Sequence, residues 1–175
     1  MAKLSRKSSI FAQLVKEAGK IGGEVKLAKM LCYVEKEKGI ASGFNFDKDK
    51  PHGNYTFEIK EETKHLVDEG LIEFCKEQKS GLFGKFEQHC FIATDKLKNM
   101  ELPLSDKEKR AIHSIYREYS KYTRKEIEDY DHAIYRNGMV RSDAELRKYS
   151  LAETEKLIKK HAGDEESAIK ELLAK

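Results

Sequence analysis

Ile59-Lys60-Glu61-Glu62-Thr63-Lys64-His65-Leu66-Val67-Asp68-Glu69-Gly70-Leu71-Ile72-Glu73-Phe74 decides the fold of this 175-residue chain. Up to Gly70 the inward positions Ile59, Thr63, Leu66 and Val67 recur at helical spacing, and beyond it the period changes to two. Glycine at that boundary ends the helix in the left-handed conformation that other residues adopt only at a cost. Leu71 and Ile72 open a strand in which Ile72 and Phe74 share one face. The stretch Lys79-Ser80-Gly81-Leu82-Phe83-Gly84 reads as a turn, and Phe86, Gln88, Cys90 and Ile92 share a face of the returning strand.

Upstream, Ile10, Phe11, Leu14, Val15 and Ala18 mark a helix capped at Ser8 or Ser9 and stopped at Gly19, after which Gly22-Gly23 breaks the chain. Leu27, Met30, Leu31 and Val34 form one continuous stripe on a second helix that Gly39 ends. Phe44 and Phe46 alternate in an irregular or short extended segment, and Pro51-His52-Gly53-Asn54 is a turn. Downstream of Asp95 strand signals cease. Four capping-box matches follow: Ser105 with Glu108, Thr123 with Glu126, Ser142 with Glu145, and Ser150 with Glu153. Ile112, Ile115, Tyr116 and Tyr119 make one helical stripe, Ile127, Tyr130 and Ile134 a second, and Leu157 with Ile158 a third. A last short helix capped at Asp164 places Ile169, Leu172 and Leu173 on one side.

Helices followed by a glycine-linked hairpin are the pattern of a winged helix. The predicted fold class is therefore α+β, mainly α with a small β-hairpin: a winged-helix core over residues 8–100 and a helical extension over 101–175 packed on it.

The string Lys26-Leu27-Ala28-Lys29-Met30-Leu31-Cys32-Tyr33-Val34, with Phe46, His52-Gly53-Asn54-Tyr55-Thr56, Glu58-Ile59 and the run from Leu66 to Ile72, resembles the Panacea antitoxin-like family and its uncharacterised archaeal and bacterial relatives. The resemblance spreads thinly over residues 8–145. In that family a Lys-Leu-x-Lys-Leu helix precedes a Gly-Pro-Tyr-Ser turn and a helix ending in Gly-Leu-Ile; this chain has Asn54 where the family has proline. The resemblance implies a winged-helix-like fold with appended helices, no known catalytic activity, and neutralisation of a toxin through protein contact. Winged helices at large more often bind DNA.

Charged residues make up 37% of the chain, yet the net charge is only +3, so the charges are interspersed as on a soluble helical surface. A dedicated nucleic-acid binder usually carries a stronger basic bias. No apolar run approaches the roughly 20 residues that span a bilayer, and the first residues show no secretory pattern, so the expectation is a cytoplasmic protein with no membrane contact. Cys32, Cys75 and Cys90 are too few and too irregular for a disulfide framework. The abundance of Lys and Glu beside two prolines hints at a thermophile.

Chemistry finds little support. No nucleophile elbow or dinucleotide fingerprint is present, and Gly81-Leu82-Phe83-Gly84-Lys85 lacks the spacing and the following Ser or Thr of a phosphate loop. Cys75 and His89 could approach across the hairpin, but two ligands do not make a tetrahedral site. The expectation is no enzyme, no cofactor and no metal.

Two partner classes follow from the charges. For double-stranded DNA, the phosphate contacts would come from Lys76, Lys79 and Lys85 in the wing and from Lys26 and Lys29 on the preceding helix. The helix that would enter the groove carries Lys60 and Lys64 against Glu58, Glu61, Glu62, Asp68 and Glu69, and this net acidity opposes groove entry. The favoured reading is nonetheless a DNA-associated transcriptional regulator, on the habit of winged helices. For a protein partner, Glu61, Glu62 and the Tyr55 turn would face it. Leu82 and Phe83 at the hairpin tip would pack on the chain's own helices, insert into a partner, or join a homodimer.

Overall fold

The computed structural model describes residues 4–47, 54–81 and 84–135. Helix α1 (Arg6–Ala18) is followed by a short strand β1 (Lys20–Gly22), helix α2 (Glu24–Lys36), helix α3 (Glu58–Asp68), and the hairpin β2 (Ile72–Gly81) and β3 (Gly84–Ala93). Helices α4 (Asp95–Asn99), α5 (Asp106–Tyr119) and α6 (Arg124–Tyr135) complete the described chain. The class is α+β, with one antiparallel sheet in the order β1-β3-β2. Among the described residues no helix is long and apolar enough to cross a membrane.

The cap of α1 is Ser5 rather than Ser8 or Ser9, its hydroxyl accepting from Ser8 N at 3.0 Å. Ser8 and Ser9 are buried inside the helix. Ser9 Oγ donates to Ser5 O, and Ser8 Oγ donates across to Glu62 Oε2 at 2.6 Å. Ile10, Phe11, Leu14 and Val15 then enter the core as their spacing predicts.

Strand β1 occupies what the sequence reads as a break. It has three residues with one apolar side chain, Ile21, too short to show any period, and it exists because β3 supplies its partner: Ile21 stands opposite Phe91, and Gly22 opposite Cys90. Phe91 packs edge-on against Phe11 at 5.8 Å between ring centroids, which fastens the sheet to α1.

Helix α3 ends as the glycine requires. Gly70 has φ +66°, its N–H donates to Val67 O at 2.8 Å, and Leu71 N donates to Leu66 O at 2.9 Å, so the last carbonyls are satisfied. Nothing lies within 4 Å of a Cβ added there. Gly70→Ala should therefore cost only the left-handed backbone penalty, about 1–2 kcal/mol, measurable by urea denaturation with an unchanged m-value. Ile59, Thr63 and Leu66 are buried as expected; Val67 is not, being 39% exposed. It lies on the edge of the stripe that faces the hairpin, in a cleft that Phe74 and Phe91 also line.

In the hairpin Ile72 pairs with Ala93, Phe74 with Phe91 and Cys75 with Cys90. Burial falls along β3 from Ala93 toward Gly84, so the distal half of the hairpin stands in solvent. Leu82 and Phe83 lie outside the described residues, as do Pro51-His52-Gly53 and the expected helices after residue 135.

Helix α5 packs on α1 and α2, and α6 packs on α2. Both capping boxes in this region form: Ser105 and Glu108 exchange their reciprocal bonds, and so do Thr123 and Glu126. Tyr33, Tyr119 and Tyr130 stack on one another at 4.7–5.8 Å, and the Tyr119 hydroxyl donates to Glu37 Oε1, making the aromatic cluster part of the core.

Arg6 reaches across from α1 to form an ion pair with Glu108. The guanidinium, with bonds from Ser105, holds that carboxyl down at about 2 against an ordinary 4.5. A depressed folded-state pKa favours the folded chain above the unfolded value, and the gain disappears as pH falls from about 4.5 to about 2. Glu108→Gln should accordingly flatten the acid limb of a stability-versus-pH curve in that window. The difference should shrink in high salt, because the pair is partly exposed.

Candidate functional site

Two clefts meet on one side of the molecule, between α3, the start of α2 and the hairpin. The first, about 430 Å³, is lined by Lys60, Thr63, Lys64 and Val67 of α3, Phe74 of β2, Phe91 and His89 of β3, and Glu24. The second, about 490 Å³, is lined by Gly23, Glu24 and Val25, Tyr55 and Phe57, residues 86–89 of β3, and Arg124. Glu24 and His89 belong to both.

Local structure explains their junction. Gly23 N donates to His89 O at 2.8 Å, so the first residue of α2 is tied to β3 and the Glu24 carboxylate sits at the positive end of the helix. One of its oxygens accepts the Tyr55 hydroxyl, and the other faces His89 Nδ1 at 3.3 Å. Burial, followed by the bond to Glu24, raises the Tyr55 phenol well above its usual range, so Tyr55 remains a neutral donor at physiological pH. The Phe74 ring packs on His89 at 5.0 Å and Phe57 on Tyr55 at 5.3 Å.

The large hydrophobic side chains most exposed among the described residues are Phe57, Val67, Phe74 and Phe86, at 58%, 39%, 40% and 50%. All four line these two clefts. Isolated exposed apolar residues are ordinary, whereas here each of two adjoining clefts holds a pair of them, Val67 with Phe74 in the first and Phe57 with Phe86 in the second, as binding sites do.

The charges of α3 are divided between its flanks. Glu58 and Glu62 lie on the α1 side. Lys7 Nζ donates to Glu58 at 2.7 Å, Asn45 adds two bonds, and Ser8 holds Glu62. Burial opposes the Glu58 charge, but those donors outweigh it and keep the carboxyl below its usual range. Lys60 and Lys64 lie on the other flank, in the cleft, with Lys60 Nζ 5.8 Å from the Phe57 ring centre. Glu61 is exposed between them. The net acidity read from the sequence is thus not the charge that the cleft presents.

Several nominated residues are placed otherwise than expected. Lys29 is fully buried, its ammonium 2.6 Å from Asp131 Oδ2 of α6. Lys26 turns inward and donates to the carbonyls of Ser120 and Tyr122 at 2.5 and 2.6 Å, capping the end of α5. Neither is available to a phosphate. Both stand on α2, whose outer faces are covered by α5 and α6, a packing that helical periodicity within α2 cannot reveal. Tyr55 is 8% exposed and bonded to Glu24 rather than presented outward. Glu62 serves α1, leaving Glu61 as the acidic residue free to face a partner. On the hairpin Lys76 pairs with Glu87 at 2.9 Å and Lys79 with Glu77 at 3.0 Å; Lys85 is exposed near the tip.

Glu24, Phe57, Phe74, Phe86, His89 and Arg124 are not among the partner-contact residues expected from sequence, where His89 figures only beside Cys75 as a possible metal ligand. The hairpin pairs Gly81 with Gly84, and the same register sets His89 opposite Lys76 and Cys90 opposite Cys75. His89 therefore lies on the other face of the hairpin from Cys75, and the two do not share a site. No family model, curated protein or solved structure matches the chain.

Proposed function

We propose that this chain is a non-catalytic binding module of winged-helix architecture that seats an apolar segment of a protein partner in the clefts between α3 and the hairpin. The observation that carries this reading is the exposure of Val67 and Phe74 in the first cleft, adjoined through Glu24 and His89 by a second that holds Phe57 and Phe86. Burial of such side chains drives association, and the flanking Lys60, Lys64, Glu61 and Arg124 supply a polar rim that selects among partners. The resemblance to antitoxin-like proteins agrees with a toxin as the partner class. A second copy of the chain as occupant would appear as dimerisation that rises with concentration.

Duplex DNA is the second reading, favoured by the order helix-strand-helix-helix-strand-strand and by Lys60 and Lys64 on the hairpin side of α3. It has lost support from Lys26 and Lys29, which are internal, and from Lys76 and Lys79, which are paired. The two readings separate in one titration. The purified chain is mixed with labelled duplex at about 50 and about 200 mM salt, a range over which several phosphate contacts lose orders of magnitude in affinity. The protein-partner reading expects weak binding that Lys60→Glu with Lys64→Glu hardly changes. Tight duplex binding that falls steeply with salt, and is abolished by that pair of substitutions, would replace it with the DNA reading.

A further inference from the structure

On the hairpin face away from Phe74 and His89, the register sets Cys75 directly opposite Cys90, and Glu77 lies two residues further along the same face of β2. The two sulfurs and a Glu77 oxygen all lie within 4.8 Å of one another. We propose that Cys75, Cys90 and Glu77 form a binding site for a thiophilic divalent cation of the zinc type, with a fourth position open to water or to a partner's side chain.

The geometry needs little adjustment. Bond lengths of about 2.3 Å to sulfur and about 2.0 Å to oxygen in a tetrahedron place the donor atoms roughly 3.5–3.8 Å apart, so rotamer shifts of under about 1 Å close the site. Gly22 of β1 stands opposite Cys90 and contributes no side chain over it. Cys90 is fully buried and Cys75 half-buried, which places a bound ion at the boundary of the sheet with one side reachable.

The donor set suits a cation as well. Two thiolates and Glu77 bring three negative charges, and the ion shares them with Lys20 and Lys79, which lie 2.5 and 3.0 Å from the Glu77 carboxylate. Binding takes both sulfurs as thiolates and releases their two protons to solvent; no electron transfer is involved. Two sulfurs in the donor set favour zinc over magnesium or calcium. Cys32, buried in α2, takes no part.

The test is titration of the reduced, full-length protein with cobalt(II), followed by zinc. One equivalent of cobalt should produce a thiolate-to-cobalt charge-transfer band and tetrahedral visible bands, and zinc should erase them. Cys75→Ser and Cys90→Ser should each weaken binding by more than about a hundredfold, beyond the roughly 10–100-fold cost of losing an outer-shell group. Glu77→Gln, on the solvent side, should weaken it by about tenfold while leaving the fold intact by circular dichroism, and Cys32→Ala should leave the band unchanged. No band at one equivalent, a band that survives loss of Cys75 or Cys90, or conversion of the pair to a disulfide with no metal uptake would each overturn the site. None of its three ligands lines either cleft, so its failure leaves the partner reading untouched.

Discussion

Asp131→Ala should lower the unfolding free energy by about 3–5 kcal/mol, the range seen when one partner of a buried ion pair is removed. The Asp131 carboxylate is the acceptor for three donors: Lys29 Nζ at 2.6 Å, Asn54 N at 2.9 Å and Asn54 Nδ2 at 3.1 Å. Asp131, Lys29 and Asn54 are all buried, so truncation strands an ammonium and two amide donors where water does not reach them. Lys29→Met should cost comparably, by leaving Asp131 short of its counter-charge. Combining the two should recover part of the loss, because the charges vanish together, and that non-additivity is the signature of a coupled pair. Chemical denaturation of the four proteins measures it.

A pH dependence accompanies this. Burial holds the Lys29 ammonium below its ordinary value even with Asp131 opposing the shift. When the folded-state pKa of a base is depressed, the folded state binds fewer protons than the unfolded chain. Stability then rises with pH through the interval between the two values and falls as pH is lowered through it. Removing Asp131 widens that interval, so the variant should regain stability toward alkaline pH more than the parent does.

Val67→Asp combined with Phe74→Asp should weaken the partner complex by about a hundredfold, as loss of two apolar anchors at an interface does. Both side chains are substantially exposed in the free protein, so the substitutions should leave the melting temperature of the isolated chain within a few degrees. That separation of binding from folding is what makes the pair informative. The partner, recovered on the tagged chain and then purified, is titrated against parent and variant by calorimetry. Equal affinities would move the interface elsewhere on the surface.

How far these residues could be read from the sequence depends on the range of the interaction that places them. Gly70, the two capping boxes at Ser105 and Thr123, and the stripes of α2 and α5 are local features, set by contacts within four residues, and each is found where its spacing puts it. Strand β1 was not legible, because three residues carry no period and its existence rests on Phe91 and Cys90 some 70 positions away. The inward turn of Lys26 and Lys29 was hidden for a related reason. A lysine on a helix reads as solvent-facing until α5 and α6 are laid over it, and Asp131 is separated from Lys29 by 102 residues. Charge counting along α3 yields the sum but not the division, since Lys7 neutralises Glu58 and hydrogen bonds from Ser8 and Asn45 hold Glu62 and Glu58 on one flank only. The clefts themselves are assembled from α2, α3, β2 and β3, and no single segment announces them.

Hydrogen–deuterium exchange on the chain with and without its purified partner tests the central claim most directly. The account predicts slowed exchange in α3 and along residues 72–76 and 86–91, around the cleft lined by Val67, Phe74 and His89, with α5 unchanged. Protection confined to α5 and α6, with α3 and the hairpin exchanging as in the free chain, would contradict it.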